Sequence, residues 1–260
     1  MEHFFVLDGE KIPFTPGQTI MDAATTAGKY IPHLCYKKGL SAHGSCRMCV
    51  VKINNRHFAS CTTKAADGLI VRNRTHEMTE GRRTSLQLLF VEGNHFCPSC
   101  ERSGDCTLQA TAYEMGMLTP HYDHFFPDRR VDASHPDIVL ELNRCIQCEL
   151  CVRASREIDG KNVFALAGRG MASRLIVNSE SGLLGDSDFE ATDYAARVCP
   201  VGVFLKRTGN YGAPIGDRTF DERPISSQAA TASGADHASD VAEDERRALG
   251  EVATELEAAR

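Results

Sequence analysis

The chain has 260 residues, 42% hydrophobic and 25% charged, the composition of a water-soluble globular protein with room for two or three small domains. No apolar run approaches the roughly 20 residues that span a bilayer, and the start "MEHFFVLDGEKIPF" lacks the features of a secretory signal, so a cytoplasmic location is expected. The net charge of −6 falls within residues 221–260, where ten acidic residues face four basic ones; the balanced remainder offers no basic stripe to nucleic acid.

Residues 1–75 read as one unit. "HFFVL" and "KIPF" flank an Asp8-Gly9 hairpin turn. Thr19 can cap a helix over residues 20–29, with Gly28 near its end. "MCVVKI", an Asn54-Asn55 turn, "RHFASC" and "GLIVR" supply further strands. Short strands around one helix predict a small α+β sheet domain. Residues 76–118 read as two helices flanking "NHFCPSCERSGDC". Residues 119–137 hold three prolines and little periodicity; they read as a linker in which Phe125 and Phe126 pack on a neighbour. Residues 138–220 contain strand-like "IVLEL", "VFALA" and "RLIV" and a helix after Cys145. Of the acidic tail, 221–260, the first half reads as disordered and the last twenty residues as helix-forming.

Eleven cysteines need a purpose other than disulfides in a reducing compartment. They fall into three groups. Cys35, Cys46, Cys49 and Cys61 form the first. Four thiolates suit a [2Fe–2S] cluster or structural zinc. The small residues of "AHGSCRMC" favour the cluster, because they let backbone N–H groups approach the sulfurs. His33 and His43 nearby read as bystanders. Cys145, Cys148, Cys151 and the remote Cys199 before Pro200 have the CxxCxxC spacing of a [4Fe–4S] site. Zinc sites more often pair two CxxC units. Between these lie Cys97, Cys100 and Cys106, one ligand short of four, with His95 beside them. A neutral imidazole can complete a [4Fe–4S] cluster there and raises its potential by removing a negative charge. The alternatives are zinc on the same four residues, or another group in place of His95.

The order of the three groups resembles the N-terminal region shared by the large iron–sulfur subunit of bacterial complex I, by [FeFe]-hydrogenases and by the small diaphorase (gamma) subunit of NAD-reducing [NiFe]-hydrogenases. "CPSCERSGDCTLQA" is similar in all three. The chain's length, with "IPHLCYKKGL", "EGNHFCPSCE", "CIQCELCVR", "CPVG" and "YGAPIGDRTF", resembles the gamma subunit over about residues 3–220. The resemblance implies an N-terminal β-grasp [2Fe–2S] ferredoxin-like domain, a helical His/Cys [4Fe–4S] segment and a bacterial-ferredoxin-like [4Fe–4S] domain. One departure stands out. The wider family places its histidine with three residues before the first cysteine of the middle group, a position that here is Gly93.

The sequence shows no Walker A loop, no GxGxxG and no flavin fingerprint. A relay of one [2Fe–2S] and two [4Fe–4S] clusters is therefore expected. The resemblance implies a flavoprotein diaphorase partner (FMN, NAD) on one side. On the other it implies the hydrogenase small subunit and, through it, the [NiFe] large subunit. The first domain is expected to meet the flavoprotein and the third to face the hydrogenase. The same relay in an NAD-dependent formate dehydrogenase or a complex I-like assembly is the alternative, and a zinc-stabilised scaffold is a third reading.

Overall fold

The computed structural model describes residues 3–209 and 213–228. The disordered and helical readings of the acidic tail beyond Gln228 lie outside the described residues.

The hairpin forms where its turn residues place it. β1 (Phe4–Leu7) pairs antiparallel with β2 (Glu10–Pro13). Asp8 (φ 50°) and Gly9 (φ 92°) take the left-handed conformation that a two-residue turn requires. α1 (Ile20–Thr26) starts in a capping box: Asp22 N donates to Thr19 Oγ1 (3.1 Å) and Thr19 N to Asp22 Oδ2 (2.9 Å). The helix ends earlier than its composition suggests, because the chain turns through Gly28 at φ 68°. β3 (Val50–Ile53) and β4 (Arg56–Ala59) form a second hairpin across Asn54 and Asn55, also left-handed. β5 (Ile70–Arg72) enters between the hairpins, parallel to β1 and antiparallel to β3. The sheet order is β2-β1-β5-β3-β4. Ile20, Met21, Ala23 and Ala24 of α1 are buried in one core with Phe5, Ile12, Val51 and Val71.

α2 (His76–Glu92), capped by Thr75, leads away from this sheet, and α3 (Thr107–Glu114) follows the middle cysteines. The third region contains β6 (Val131–Asp132), β7 (Ile138–Glu141), α4 (Leu150–Glu157), the hairpin of β8 (Phe164–Ala167) and β9 (Arg174–Val177), the short α5 (Tyr194–Arg197) and β10 (Phe204–Lys206). Its three-stranded sheet runs β10-β7-β6. The proline-rich stretch before it is thus more than a linker, since it supplies β6. The buried Asp132 carboxylate accepts from Leu184 N (2.8 Å), which ties that stretch to the domain. Phe125 and Phe126, expected to pack on a neighbour, are exposed, with Phe126 stacked on His124.

A second core joins the helices to the third region and includes Leu34, Cys35, Leu40 and Met48 from the first. The loop carrying the first cysteines is therefore shared between two cores. The start of the acidic tail is anchored as well. α6 (Ile225–Gln228) packs on α3, where Ser226 Oγ donates to Glu114 (2.8 Å). Among the described residues no helix is long and apolar enough to cross a membrane.

Candidate metal centres

The first group sits on the loop between α1 and β3 and on the turn after β4. Cys35, Cys49 and Cys61 are buried and Cys46 is half-buried. The sulfurs fall into two pairs. Cys49 and Cys61 lie 3.3 Å apart, and the Cys46 thiol bonds to Cys35, whose sulfur also accepts from Cys46 N at 3.5 Å. Arg47, at φ 57°, turns the loop back on itself. The bond from the Cys46 thiol, with loop N–H groups, holds Cys35 below the usual thiol range, and the Cys61 thiol does the same for Cys49. One thiol of each pair is thus prepared to give up its proton. His33 Nδ1 faces the Ile31 carbonyl (2.7 Å) and His43 faces Glu149 (3.1 Å), so both rings have partners of their own.

The third group lines a pocket formed by Cys145, Cys148, Cys151 and Cys199 and by apolar side chains including Leu166, Leu175 and Phe204. Cys145 and Cys148 precede α4, Cys151 lies in its first turn, and Cys199 comes from the segment between α5 and β10. Gln147 N donates to Cys145 Sγ (3.4 Å). Gln147 and Glu149 are both left-handed, which lets the CxxCxxC backbone wrap the pocket. Burial holds the Cys148 and Cys151 thiols well above their ordinary range and pushes Cys199 to about 11. Four thiols in an apolar pocket suit a metal cluster, which takes them as thiolates and supplies the positive charge the walls lack.

The middle group lines a second pocket, in which His95, Cys97, Cys100 and Cys106 meet Phe90, Arg144 and Gly202. His95 Nε2 is buried with no hydrogen-bond partner. Such an orphaned atom is costly, and a ligand bond would satisfy it. Burial, with the nearby Arg144, lowers the imidazole to about 4, so it stays neutral, as a ligand must be. Phe90 holds the ring edge-on at 5.5 Å. Gly93 makes room: a Cβ there would lie 2.7 Å from His95 Nε2. The imidazole of His95 thus reaches the space beside the position that holds the histidine in the wider family. Residues 218–220 close over the Cys100–Cys106 loop. Arg218 Nη1 donates to Ser103 O (2.9 Å), Thr219 N to Asp105 Oδ1 (2.8 Å) and Phe220 N to Gly104 O (2.9 Å).

The three groups do not follow chain order in space. Arg153 of α4 donates to the carbonyls of both Cys35 (2.7 Å) and Cys148 (3.1 Å), which puts the third group against the first. On its other side Pro200 O accepts from Thr107 N (2.9 Å), next to Cys106, and Asn143 O accepts from Asn94 N (2.9 Å), next to His95. The third group therefore lies between the other two. Among the described residues no three His, Cys, Asp or Glu side chains converge as donors to a single ion.

Sequence reasoning missed Arg153, Arg218 and Gly202. All three stand in stretches singled out above, "CIQCELCVR", "YGAPIGDRTF" and "CPVG", but their roles come from distant partners and are not written in those stretches.

Comparisons with known proteins agree with this layout. A family described as "2Fe-2S iron-sulfur cluster binding domain" matches residues 4–76. "NADH-ubiquinone oxidoreductase-G iron-sulfur binding region" matches 82–121, and "4Fe-4S single cluster domain" matches 138–204. Together they define an iron–sulfur subunit of mixed α/β fold, with a 2Fe-2S domain followed by 4Fe-4S domains. The chain is 38% identical over 224 residues to the gamma subunit of the NAD-reducing hydrogenase HoxS of Cupriavidus necator, covering 86% of this chain and 95% of that one. A crystal structure of an NAD+-reducing [NiFe]-hydrogenase in the H2-reduced state contains a chain of 52% identity. It superposes with a TM-score of 0.86 over 90% of this chain and 99% of that one. This chain belongs to the family of gamma subunits of NAD-reducing hydrogenases, the iron–sulfur subunits of an oxidoreductase complex. It also matches, at 32% identity, the alpha subunit of the NADPH-Fe(3+) oxidoreductase of Geobacter sulfurreducens and, at 30%, one subunit of the NADH-quinone oxidoreductase of Rickettsia typhi. These matches span 77% and 76% of this chain but only 24% and 29% of the two relatives.

Proposed function

We propose that this chain holds one [2Fe–2S] cluster on Cys35, Cys46, Cys49 and Cys61. Two [4Fe–4S] clusters follow, one on Cys145, Cys148, Cys151 and Cys199 and one on His95, Cys97, Cys100 and Cys106. The chain relays electrons between a flavoprotein diaphorase subunit (FMN, NAD) and the hydrogenase small subunit of a cytoplasmic complex that couples H2 to NAD+. The observation that carries this reading is the contiguity of the three cysteine groups through Arg153 and Pro200. The paired sulfurs of the first group suit two irons, each taking one pair. The clusters supply one-electron carriage, and the protein sets their spacing, burial and potential.

The domains serve this purpose in order. Residues 1–75 are a β-grasp unit that presents the first group, 76–118 a helical frame for the His/Cys group, 119–137 its tether, and 138–220 a ferredoxin-like centre. The expectation that the third domain faces the hydrogenase gives way here, because its group is flanked on both sides. The ends of the line are the first group and the His95 group. The first meets the flavoprotein. The His95 end meets the hydrogenase small subunit, beside the exposed Phe96 (69%) and Phe126 (73%).

The test uses Cys46→Ser in the assembled complex. NADH-dependent and H2-dependent dye reduction should both survive, while H2-driven NAD+ reduction falls sharply. Coupled turnover at the wild-type rate, with the [2Fe–2S] signal absent, would place this cluster off the path. Zinc in place of iron in the wild-type protein would overturn the relay itself.

A further inference from the structure

Arg153 is 3% exposed, and every hydrogen bond of its guanidinium goes to a backbone carbonyl. Nη1 donates to Ser41 (2.5 Å), Nη2 to Cys35 (2.7 Å) and Cys148 (3.1 Å), and Nε to Glu149 (3.1 Å). Two of the four acceptors are thus residues that carry cluster thiols, one on each side. An arginine remains charged at ordinary pH, and a buried cation without an anion carries a large desolvation cost. Among the described residues no carboxylate forms an ion pair with this one. The negative charge must come from elsewhere, and the groups on either side of Arg153 are sets of four cysteines.

We propose that Arg153 is a positioning residue whose fixed positive charge sits in the gap between the first and third clusters, raises the potential of both and sets their separation. This rests on the iron–sulfur reading above. A cluster with four thiolate ligands is anionic and becomes more so on reduction. A cation held in low dielectric beside it favours the reduced state. Because the same guanidinium bonds to Cys35 and Cys148, it acts on both partners of one electron transfer. A shift common to both leaves the driving force of that step nearly unchanged, while one side chain holds the two centres at a higher potential and at a fixed distance.

Arg82 provides the comparison. It is also buried and lies on α2. It donates to the carbonyls of Met48 (2.9 Å) and Val50 (2.8 Å), on either side of Cys49, and to Asn73. Its charge is beside the first group alone.

The experiment is a redox titration of the full complex, followed by electron paramagnetic resonance, on Arg153→Gln, Arg153→Lys and Arg82→Gln, with iron counted in each. Arg153→Gln should lower the midpoints of the [2Fe–2S] cluster and of the Cys145 cluster together and leave the His95 cluster unchanged. Arg82→Gln should lower only the first. Arg153→Lys keeps the charge and should keep both midpoints near wild type, even though it loses the fork of hydrogen bonds. If Arg153→Gln does not assemble, the lysine variant decides: midpoints that move down in it would show that charge is not the cause. Unmoved midpoints in a fully loaded Arg153→Gln protein would overturn the proposal and leave Arg153 as a clasp. Absence of iron from the wild-type protein would instead refute the reading beneath it.

Discussion

Gly93→Ala is the most direct perturbation of the middle site. Gly93 closes α2 at φ −119° and ψ 170°, extended backbone that alanine adopts without strain. The obstacle is space alone. The new Cβ would lie 2.7 Å from His95 Nε2 and 2.9 Å from the Asn143 carbonyl, where ordinary contact begins at 3.4 Å. The carbonyl is main chain and already accepts from Asn94 N at 2.9 Å, so it yields little. The imidazole must therefore retreat by about 0.7 Å, the difference between 3.4 and 2.7 Å. Ligand bonds to metals hold to within about 0.2 Å, and overpacking a buried site costs about 1–3 kcal/mol. One methyl group should thus detach His95 while leaving the eleven cysteines in place. The assay is iron content and electron paramagnetic resonance on anaerobic, reduced protein. Iron should fall from about ten per chain toward about six as one four-iron cluster is lost, with the other two signals retained. Full iron with an unchanged spectrum and midpoint for the middle cluster would refute the reasoning and show that His95 is not its ligand.

His95→Cys should keep the middle cluster and lower its midpoint, because a thiolate restores a negative charge; an unchanged midpoint would speak against ligation. Removing residues 229–260 should leave the iron count unchanged. Ending the chain at Arg207 also removes the contacts of Arg218, Thr219 and Phe220 with residues 103–105, and should speed iron loss from the middle site in a chelator assay. Glu157 joins α4 to the first unit by accepting from Ser41 N (2.8 Å) and from the Ser41 hydroxyl. Partial burial works against ionisation there, but the Ser41 donors and then Arg156 outweigh it and hold the carboxyl at about 2. Glu157→Gln should cost about 1 kcal/mol at pH 7. Because the folded value lies below the ordinary 4.5, that contribution is complete above about pH 4.5 and is lost as pH falls toward 2. Denaturant midpoints of wild type and variant should therefore stay apart from pH 7 down to about pH 4.5 and converge below it; a gap that persists at the acid end would exclude the carboxylate as its source.

Local signals carried much of the fold. Asp8-Gly9, Asn54-Asn55 and the Thr19 cap mark their turns and helix start because left-handed backbone and capping depend on a few adjacent residues. The gathering of the cysteines into three groups was legible for a similar reason: close spacing along the chain keeps most of their thiols together in space. Long-range pairing was not. Nothing near residues 70–72 shows that β5 runs parallel to β1, and a two-residue strand at Val131 leaves no period to read. The spatial order of the groups was hidden too, since it depends on carbonyls meeting Arg153 and on Pro200 meeting Thr107 across long stretches of chain. His95 is legible as the nearest histidine, but the room it occupies depends on Gly93, whose missing side chain has no signature.

The late completion of two pockets has a consequence for biosynthesis. Residues 35–61 leave the ribosome early, and among the described residues the last hydrogen-bond partner of their loop is Glu157. The His95 pocket is different, because its walls include Arg144 and Gly202. Its four nominal ligands are all translated by Cys106, yet the cavity that shelters them is not finished until Gly202. The Cys145 pocket likewise waits for Cys199. The Cys145 pocket has its last lining residue at Phe204, whereas the His95 site also waits for residues 218–220, which close over the Cys100–Cys106 loop. A chain that ends before Cys199 thus holds the thiols of Cys97, Cys100, Cys106, Cys145, Cys148 and Cys151 without the last walls of either pocket.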